Sequence, residues 1–464
     1  MKKLGVVITD GVGYRNFILS DFIKEAQQQF SEVIILSCLP KSAYDTIDLN
    51  CTIIELEVFE EAFPTWFFRK AKEVAHLQLH RKGNFGITDN FKANYSKNNT
   101  SRGHATRLIY KLTNFFHSEK WINRCNRWQQ QTFKSSPLTQ QYKQLLKTLQ
   151  LDQLFFTHQR PPYIAPLVWA AEINKIPTTT FIFSWDNLAS KGRMAATFDY
   201  YLVWSETMKK ELLQYYTAIS ADKVHVVGTP QFEPYVLARY GYTQEEFHKR
   251  FNLEASKPTI LFSCGDVSTS PNDPVYIEAI AKAIKENKLC QSVNLLVRTS
   301  PAEEPKRFEH LANQYSFIQW NYPKWVQSRA SHQESWSQRI PTVEDVHDLK
   351  SVLQHAAINV NMLSTMSLDF MLFEKPVINT VFGNGNNGMP NDQRFLQYAH
   401  IEYVIQSGAT YVATDEEKLV DSINQALENP VKKGKEQEQL LNMQIGVPLE
   451  GTSSRIAETL AKWS

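Results

Sequence analysis

The sequence predicts two α/β domains in tandem, each built on a doubly wound parallel sheet. Three observations carry that expectation. At 464 residues the chain is too long for one ordinary core. Short apolar runs alternate with segments of helical apolar spacing, and most of the runs are continuous, as in strands buried on both faces. The rhythm then restarts midway, after Gly228-Thr229-Pro230, which neither continues a strand nor opens a regular helix.

The elements follow in order. The first apolar run, Leu4–Ile8, is short and stops before Asp10, so it reads as a strand and not as a signal peptide. Further strands are expected at Val33–Ser37, Thr52–Leu56, Leu154–Thr157, Thr178–Phe183, Tyr200–Trp204 and Val224–Val227. Ser205 is placed to cap the helix that follows Trp204. The first domain is expected over residues 1–240, with a boundary between about Tyr235 and Pro258 and a charged helix from Thr243 serving as linker. In a second domain at 255–445, strands are expected at Thr259–Ser263, Val293–Arg298, Phe317–Trp320, Ala356–Asn361, Val377–Thr380 and Tyr403–Ile405. Residues 446–464 read as a C-terminal helix returning to the first domain.

Residues 63–136 interrupt this order as a basic, aromatic, helical insertion with a mobile loop near Lys92–Arg107. Between Trp66 and Lys134 stand 14 Lys/Arg against 3 Asp/Glu, in a chain whose net charge is only +2. Such a face is either a solvated surface over a local core or a surface that docks on anionic lipid or an anionic acceptor. The balanced total argues against a dedicated nucleic-acid binder. Five scattered cysteines, Cys38, Cys51, Cys125, Cys264 and Cys290, fit reduced thiols in a cytoplasmic protein. The chain is expected to be cytoplasmic, touching the inner face of the membrane only peripherally, because no run is long enough to span a bilayer.

The most informative stretch is 356–380: an apolar run, a hydroxyl-rich turn, a short helix, then a second apolar run after Lys375-Pro376. In such a βαβ unit the turn sits at the carboxyl edge of the sheet, where helix N–H groups and the helix dipole favour an anion. Ser364, Thr365 and Ser367 would add hydroxyl donors, and Asp369 would accept from sugar hydroxyls. Each has an ordinary alternative, an ST-turn or a first-turn acid. Gly265, after the strand at 259–263, would let backbone approach a ligand. Arg298, at a strand's carboxyl end, would neutralise a departing phosphate or else pair with a carboxylate. Trp320 would stack on a nucleobase or pack in the core. The loop Asn384–Gly388 would cover a donor sugar or be a plain turn.

The segment Asn361–Pro376, N-x-x-S-T-x-S-x-D-x-x-x-F-x-K-P, resembles the donor-phosphate segment of bacterial surface-polysaccharide transferases and of teichoic-acid glycerophosphotransferases. Phe183–Gly192 and Gly451–Glu458 fit the same group, and the order of elements resembles the GT-B glycosyltransferases. The resemblance implies two facing Rossmann-like domains with a cleft between them, the second holding a nucleotide-diphosphate sugar as donor substrate. It implies no cofactor and no metal; the sequence has no DxD, and its histidines read as too dispersed for a metal motif. The acceptor would be a surface polysaccharide or lipid-linked glycan. Asp10, His158 and Asp186, each after a first-domain strand, are the alternatives for the base that accepts the acceptor's proton. Transfer of a polyol phosphate from a CDP-activated donor, or a non-catalytic scaffold of this fold, remain the competing readings.

Overall fold

The structure is a computed structural model and describes residues 2–383 and 392–464. The chain forms two compact units. The first takes the residues up to Glu233 together with Gln327–Ile340 and Gln444–Ser464; the second takes Pro234–Val326 and Pro341–Met443.

The first unit is built on seven parallel strands: β1 (Lys3–Ile8), β2 (Glu32–Ser37), β3 (Thr52–Glu55), β4 (Gln153–Phe156), β5 (Thr178–Phe181), β6 (Tyr200–Val203) and β7 (Val224–Val226). Their order is β3-β2-β1-β4-β5-β6-β7. The chain therefore winds outward from β1 to β3, then returns to β4 on the other side of β1. That reversal is the switch point at which open α/β sheets bind ligands. The continuous apolar runs are buried as expected, and Phe17 meets Phe22, Phe155 and Phe181 edge-on at 5.2, 5.3 and 5.6 Å.

Five helices fill the crossover from β3 to β4: Phe63–His80, Phe85–Ala93, Ser101–Thr113, Glu119–Phe133 and Pro137–Leu149. The insertion has its own core of Ala71, Val74, Ile109, Tyr110 and Cys125, with Phe67, Phe91 and Trp121 against it. Helix covers most of the expected mobile loop. Thr100 caps Ser101–Thr113 by accepting the Gly103 N–H, and Arg107 donates to the Ser96 and Asn98 carbonyls, leaving only 94–100 outside helix.

The second unit is built on β8 (Thr259–Ser263), β9 (Asn294–Arg298), β10 (Gln319–Asn321), β11 (Ile358–Asn361), β12 (Val377–Thr380) and β13 (Tyr411–Ala413). All pairs are parallel and the order is β10-β9-β8-β11-β12-β13. The switch point here lies between β8 and β11. The core is apolar residues of these strands packed on helices such as Asp273–Lys285 and Glu416–Glu428.

Three expectations change. Tyr403–Ile405 lies in a helix, Ala399–Ser407, because Ile401 and Val404 turn inward at helical spacing; Gly408 ends it with φ 72°, and the strand follows at Tyr411. The expected linker helix, Gln244–Arg250, belongs to the second unit. Its Arg250 holds Asp348, and the Tyr242 N–H donates to Ser351 Oγ at 2.8 Å. Residues 327–340, expected within the second domain, belong to the first unit. Arg329 pairs with Glu55, Gln333 donates to the Phe59 carbonyl at 2.6 Å, and His332 lies edge-on to Tyr163 at 5.3 Å. The expected covering loop Asn384–Gly388 lies outside the described residues.

Candidate functional site

At the first sheet's switch point, Thr9-Asp10 follow β1 and Thr157-His158 follow the adjacent β4. Asp10 is fully buried and caps the helix Gly11–Phe17. Its Oδ1 accepts the N–H groups of Val12 and Gly13 at 3.0 and 2.8 Å, and its Oδ2 accepts the Thr9 hydroxyl at 2.8 Å. His158 Nδ1 lies 2.8 Å from the same Oδ2. Burial pushes the Asp10 carboxyl upward, but His158, the Gly13 N–H and Thr9 together hold it below the usual carboxylate range. An ionised Asp10 requires the proton of His158 on Nδ1, so Nε2 is the nitrogen left to take another. The ring is locked by stacking on Phe183, centroids 3.9 Å apart and 17° from parallel.

Two of the three alternatives for a base thus form one pair. Asp186 stands apart from it: it contacts the Asn187 amide at 3.1 Å and Lys191 at 3.4 Å. Sequence reasoning missed what covers this edge. A Cβ on Gly11 would meet the Arg339 carbonyl oxygen at 1.6 Å, so glycine is required where residues 327–340 cross. The same segment brings Glu334, whose carboxyl is pushed up to about 7 by burial, against the pull of Arg69, with the Asp10 charge adding to the rise. Nothing local in residues 327–340 signals this, since their partners are the ends of β2 and β3, far away in the chain.

At the second sheet's switch point the expected residues assemble, but most are occupied. Arg298 is a buried ion-pair partner rather than a free cation. It donates twice to Asp345, at 3.0 and 2.9 Å, and to Asn321. Ser367, 2% exposed, is turned inward; its hydroxyl donates to Asn361 Oδ1 at 3.3 Å and accepts from Asn379 at 3.1 Å. Asp369 accepts from the Tyr235 hydroxyl and is equally buried. Each of the three is buried and committed to partners of its own within the second unit.

Gly265 is glycine because a Cβ would meet that of Ser270 at 2.8 Å. Its N–H donates to Asp273 at 2.9 Å and its carbonyl accepts from Arg307 at 2.7 Å. Burial pushes Asp273 up to about 7 despite Ser270 and Arg307. Trp320 packs against the core, lies parallel to Tyr322 at 6.1 Å and is tilted against Phe308 at 5.8 Å. The expected anion turn is an ST-turn. The Ser364 N–H donates to Asn361 at 2.8 Å, and the Met366 N–H to Ser364 Oγ at 3.2 Å. Half-buried Ser364 keeps its own hydroxyl proton to donate.

A groove of about 610 Å³ in the first unit is lined by Thr178 and Tyr200, the first residues of β5 and β6. It opens at the amino ends of those strands, opposite to the edge that carries the Asp10–His158 pair.

Two parallel-sheet units with these strand orders define the GT-B fold. Solved structures of that fold match over the whole chain. A UDP-GlcNAc 2-epimerase from Neisseria meningitidis bound to UDP-GlcNAc has a TM-score of 0.52 at 13% identity, covering 100% of both chains. A glycosyltransferase from Rickettsia africae gives 0.52 at 12% identity over 100% of this chain and 98% of its own. The wall teichoic acid polymerase TagF with CDPG gives 0.50 at 9% identity over 99% and 88%. At such identities the likeness is one of fold. No family model matches the sequence, and no curated protein does.

Proposed function

We propose that the chain is a glycosyltransferase that moves a sugar from a nucleotide-diphosphate donor to a surface-polysaccharide or lipid-linked glycan acceptor. The observation that carries this reading is the Asp10–His158 pair at the first sheet's switch point. His158 Nε2 takes the proton of the acceptor hydroxyl, and buried Asp10 stabilises the imidazolium that forms. The acceptor oxygen bonds to the anomeric carbon as the bond from that carbon to the diphosphate oxygen breaks. The second unit holds the donor, with the Ser364 hydroxyl and Thr365 at the diphosphate and Trp320 at the base. The reading asks for no cofactor and no metal in the chemical step.

The insertion supplies the acceptor side. Leu108, Leu112, Phe115 and Phe116 are 50, 38, 83 and 48% exposed, with exposed Lys111, Lys120 and Arg124 nearby. An apolar patch rimmed by cations suits the surface of an anionic membrane that carries a lipid-linked acceptor. No helix among the described residues is long and apolar enough to cross a membrane, so attachment would be peripheral.

The test begins with thermal shift against UDP-, GDP-, CDP- and TDP-linked sugars, because a ligand that binds only the folded chain raises its melting temperature. One donor should stabilise the protein, and nucleoside diphosphate should then be released only with acceptor present. No stabilisation by any donor would remove the reading. Sugar isomerised without acceptor would assign the chain instead to the epimerase chemistry that the Neisseria structure represents.

A further inference from the structure

The helix Phe63–His80 ends with His76 and His80 four residues apart, which puts both rings on one face. Glu119, the first residue of the helix Glu119–Phe133, meets that face. One ligand atom from each of the three lies within 4.8 Å of the other two, and no other such trio occurs among the described residues. His76 is fully buried, while His80 and Glu119 are half-buried. Yet His76 Nε2, His80 Nε2 and Glu119 Oε2 are all shielded from water and without a hydrogen-bond partner. Buried polar atoms are normally satisfied, and an orphan is costly.

We infer that His76, His80 and Glu119 bind a divalent transition-metal ion of the zinc class, which staples the first helix of the insertion to the fourth. Two imidazoles and a carboxylate are the donor set of such an ion, and a fourth position remains for water. Tetrahedral bonds of about 2.0–2.2 Å put ligand atoms roughly 3.4 Å apart, so the trio has to draw in by about an ångström or a little more, within the reach of rotamer adjustment.

The surroundings are those of a ligand set. His80 hydrogen-bonds the Tyr215 backbone and stands edge-on to the Tyr215 ring at 5.3 Å, while its Nε2 has no partner. Glu119 Oε1 accepts from Arg193 at 2.8 Å, which orients the carboxylate with Oε2 turned away. Arg193 also approaches His76 Nδ1, but at 3.5 Å, the outer limit of a hydrogen bond, and it rests on the Tyr216 ring at 4.4 Å. Burial, followed by Arg193, His80 and Arg160, holds His76 well below its ordinary range; burial also lowers His80. Three buried polar atoms without a partner converge here, and a bound cation would serve all three.

The full-length chain, purified without a histidine tag and stripped by chelator, is titrated with Zn²⁺ in a calorimeter and with Co²⁺ by visible absorption. We expect one ion per chain, a four-coordinate Co²⁺ spectrum and a higher melting temperature with Zn²⁺. His80→Gln and Glu119→Gln, checked for folding by circular dichroism, should each weaken binding by about 100-fold or more. Sub-stoichiometric binding by the unaltered chain would overturn the inference whatever the variants do. Undiminished binding by both variants would place the ion elsewhere and overturn it equally. Neither outcome depends on the donor assay.

Discussion

The two switch points invite comparison because they are topologically equivalent and chemically opposite. At the first, between β1 and β4, a buried carboxylate holds an imidazole whose Nε2 is uncommitted. At the second, between β8 and β11, the side chains with the most promising chemistry are consumed by one another: Arg298 by Asp345, Ser367 by the Asn361–Asn379 pair, and Asp369 by Tyr235. On the proposed reading the first edge moves a proton. The second is a hydrogen-bonded floor beneath a turn, and on the proposed reading a donor phosphate meets Ser364 and Thr365 above that floor. A residue type at a strand's carboxyl end is therefore weak evidence of contact with ligand until its hydrogen bonds are accounted for.

The largest effect should come from the first edge. His158→Ala is expected to lower kcat by about 10²–10⁴-fold with donor KM little changed. Asp10→Asn should also lower kcat, by leaving the imidazole in the wrong tautomer. A His158→Ala variant that retains full turnover would erase the contrast between the edges.

Next in size is Arg298→Ala, which leaves buried Asp345 without its counter-ion, held only by the Lys324 N–H and Trp325 Nε1 at 3.0 and 2.8 Å. We expect a loss of about 3–5 kcal/mol in denaturant unfolding. If that variant stayed as stable as the parent and lost only donor affinity, Arg298 would be a phosphate ligand after all. Smaller again, Ser364→Ala should weaken donor binding by about tenfold at unchanged stability, whereas Ser367→Ala should cost about 1 kcal/mol of stability with donor affinity intact. Isothermal titration alongside thermal melts separates the two serines, and reversed outcomes would invert the floor and the surface of the turn.

How much of this is legible in the sequence follows from what is local. The strands announce themselves because apolar runs need no knowledge of their neighbours; Val377–Thr380 is found with both boundaries as expected, and the others shift by a few residues at most, except Tyr403–Ile405. That run failed because three apolar-leaning residues fit either period, and only the following Gly408 marks the helix end. Asp10 and His158 were legible as strand-end residues, but their pairing was not, because 148 positions separate them. Arg298 stood at an expected strand end, but its partner Asp345 lies 47 positions away in the first turn of a helix capped by Thr342. His76 and His80 share a helix face by their four-residue spacing, but the crossing of residues 327–340 and the arrival of Glu119 at that face depend on tertiary packing.

The smallest effect distinguishes the carboxylates of the first edge from each other. Asp186→Asn should leave kcat within about threefold, since the proposed reading gives proton transfer to the Asp10–His158 pair, and the half-buried pair of Asp186 with Lys191 is worth about 0–1 kcal/mol. Its trace should appear in stability against pH. Glu211 is buried and pushed up to about 8, first by burial and then by the Asp186 charge. Between its unfolded value of about 4.3 and this folded value, the native chain keeps a proton that the unfolded chain has lost. Stability is therefore fully present below that window, falls as pH rises through it, and levels off above pH 8. Removing the Asp186 charge lowers the folded value and shortens the fall, while Glu211→Gln abolishes this contribution. Melting curves at pH 5 and pH 8 should then differ less for Asp186→Asn than for the parent, and least for Glu211→Gln. Equal pH dependence in all three proteins would mean that Asp186 and Glu211 do not share a field, and that Asp186 is free to act elsewhere on the same edge.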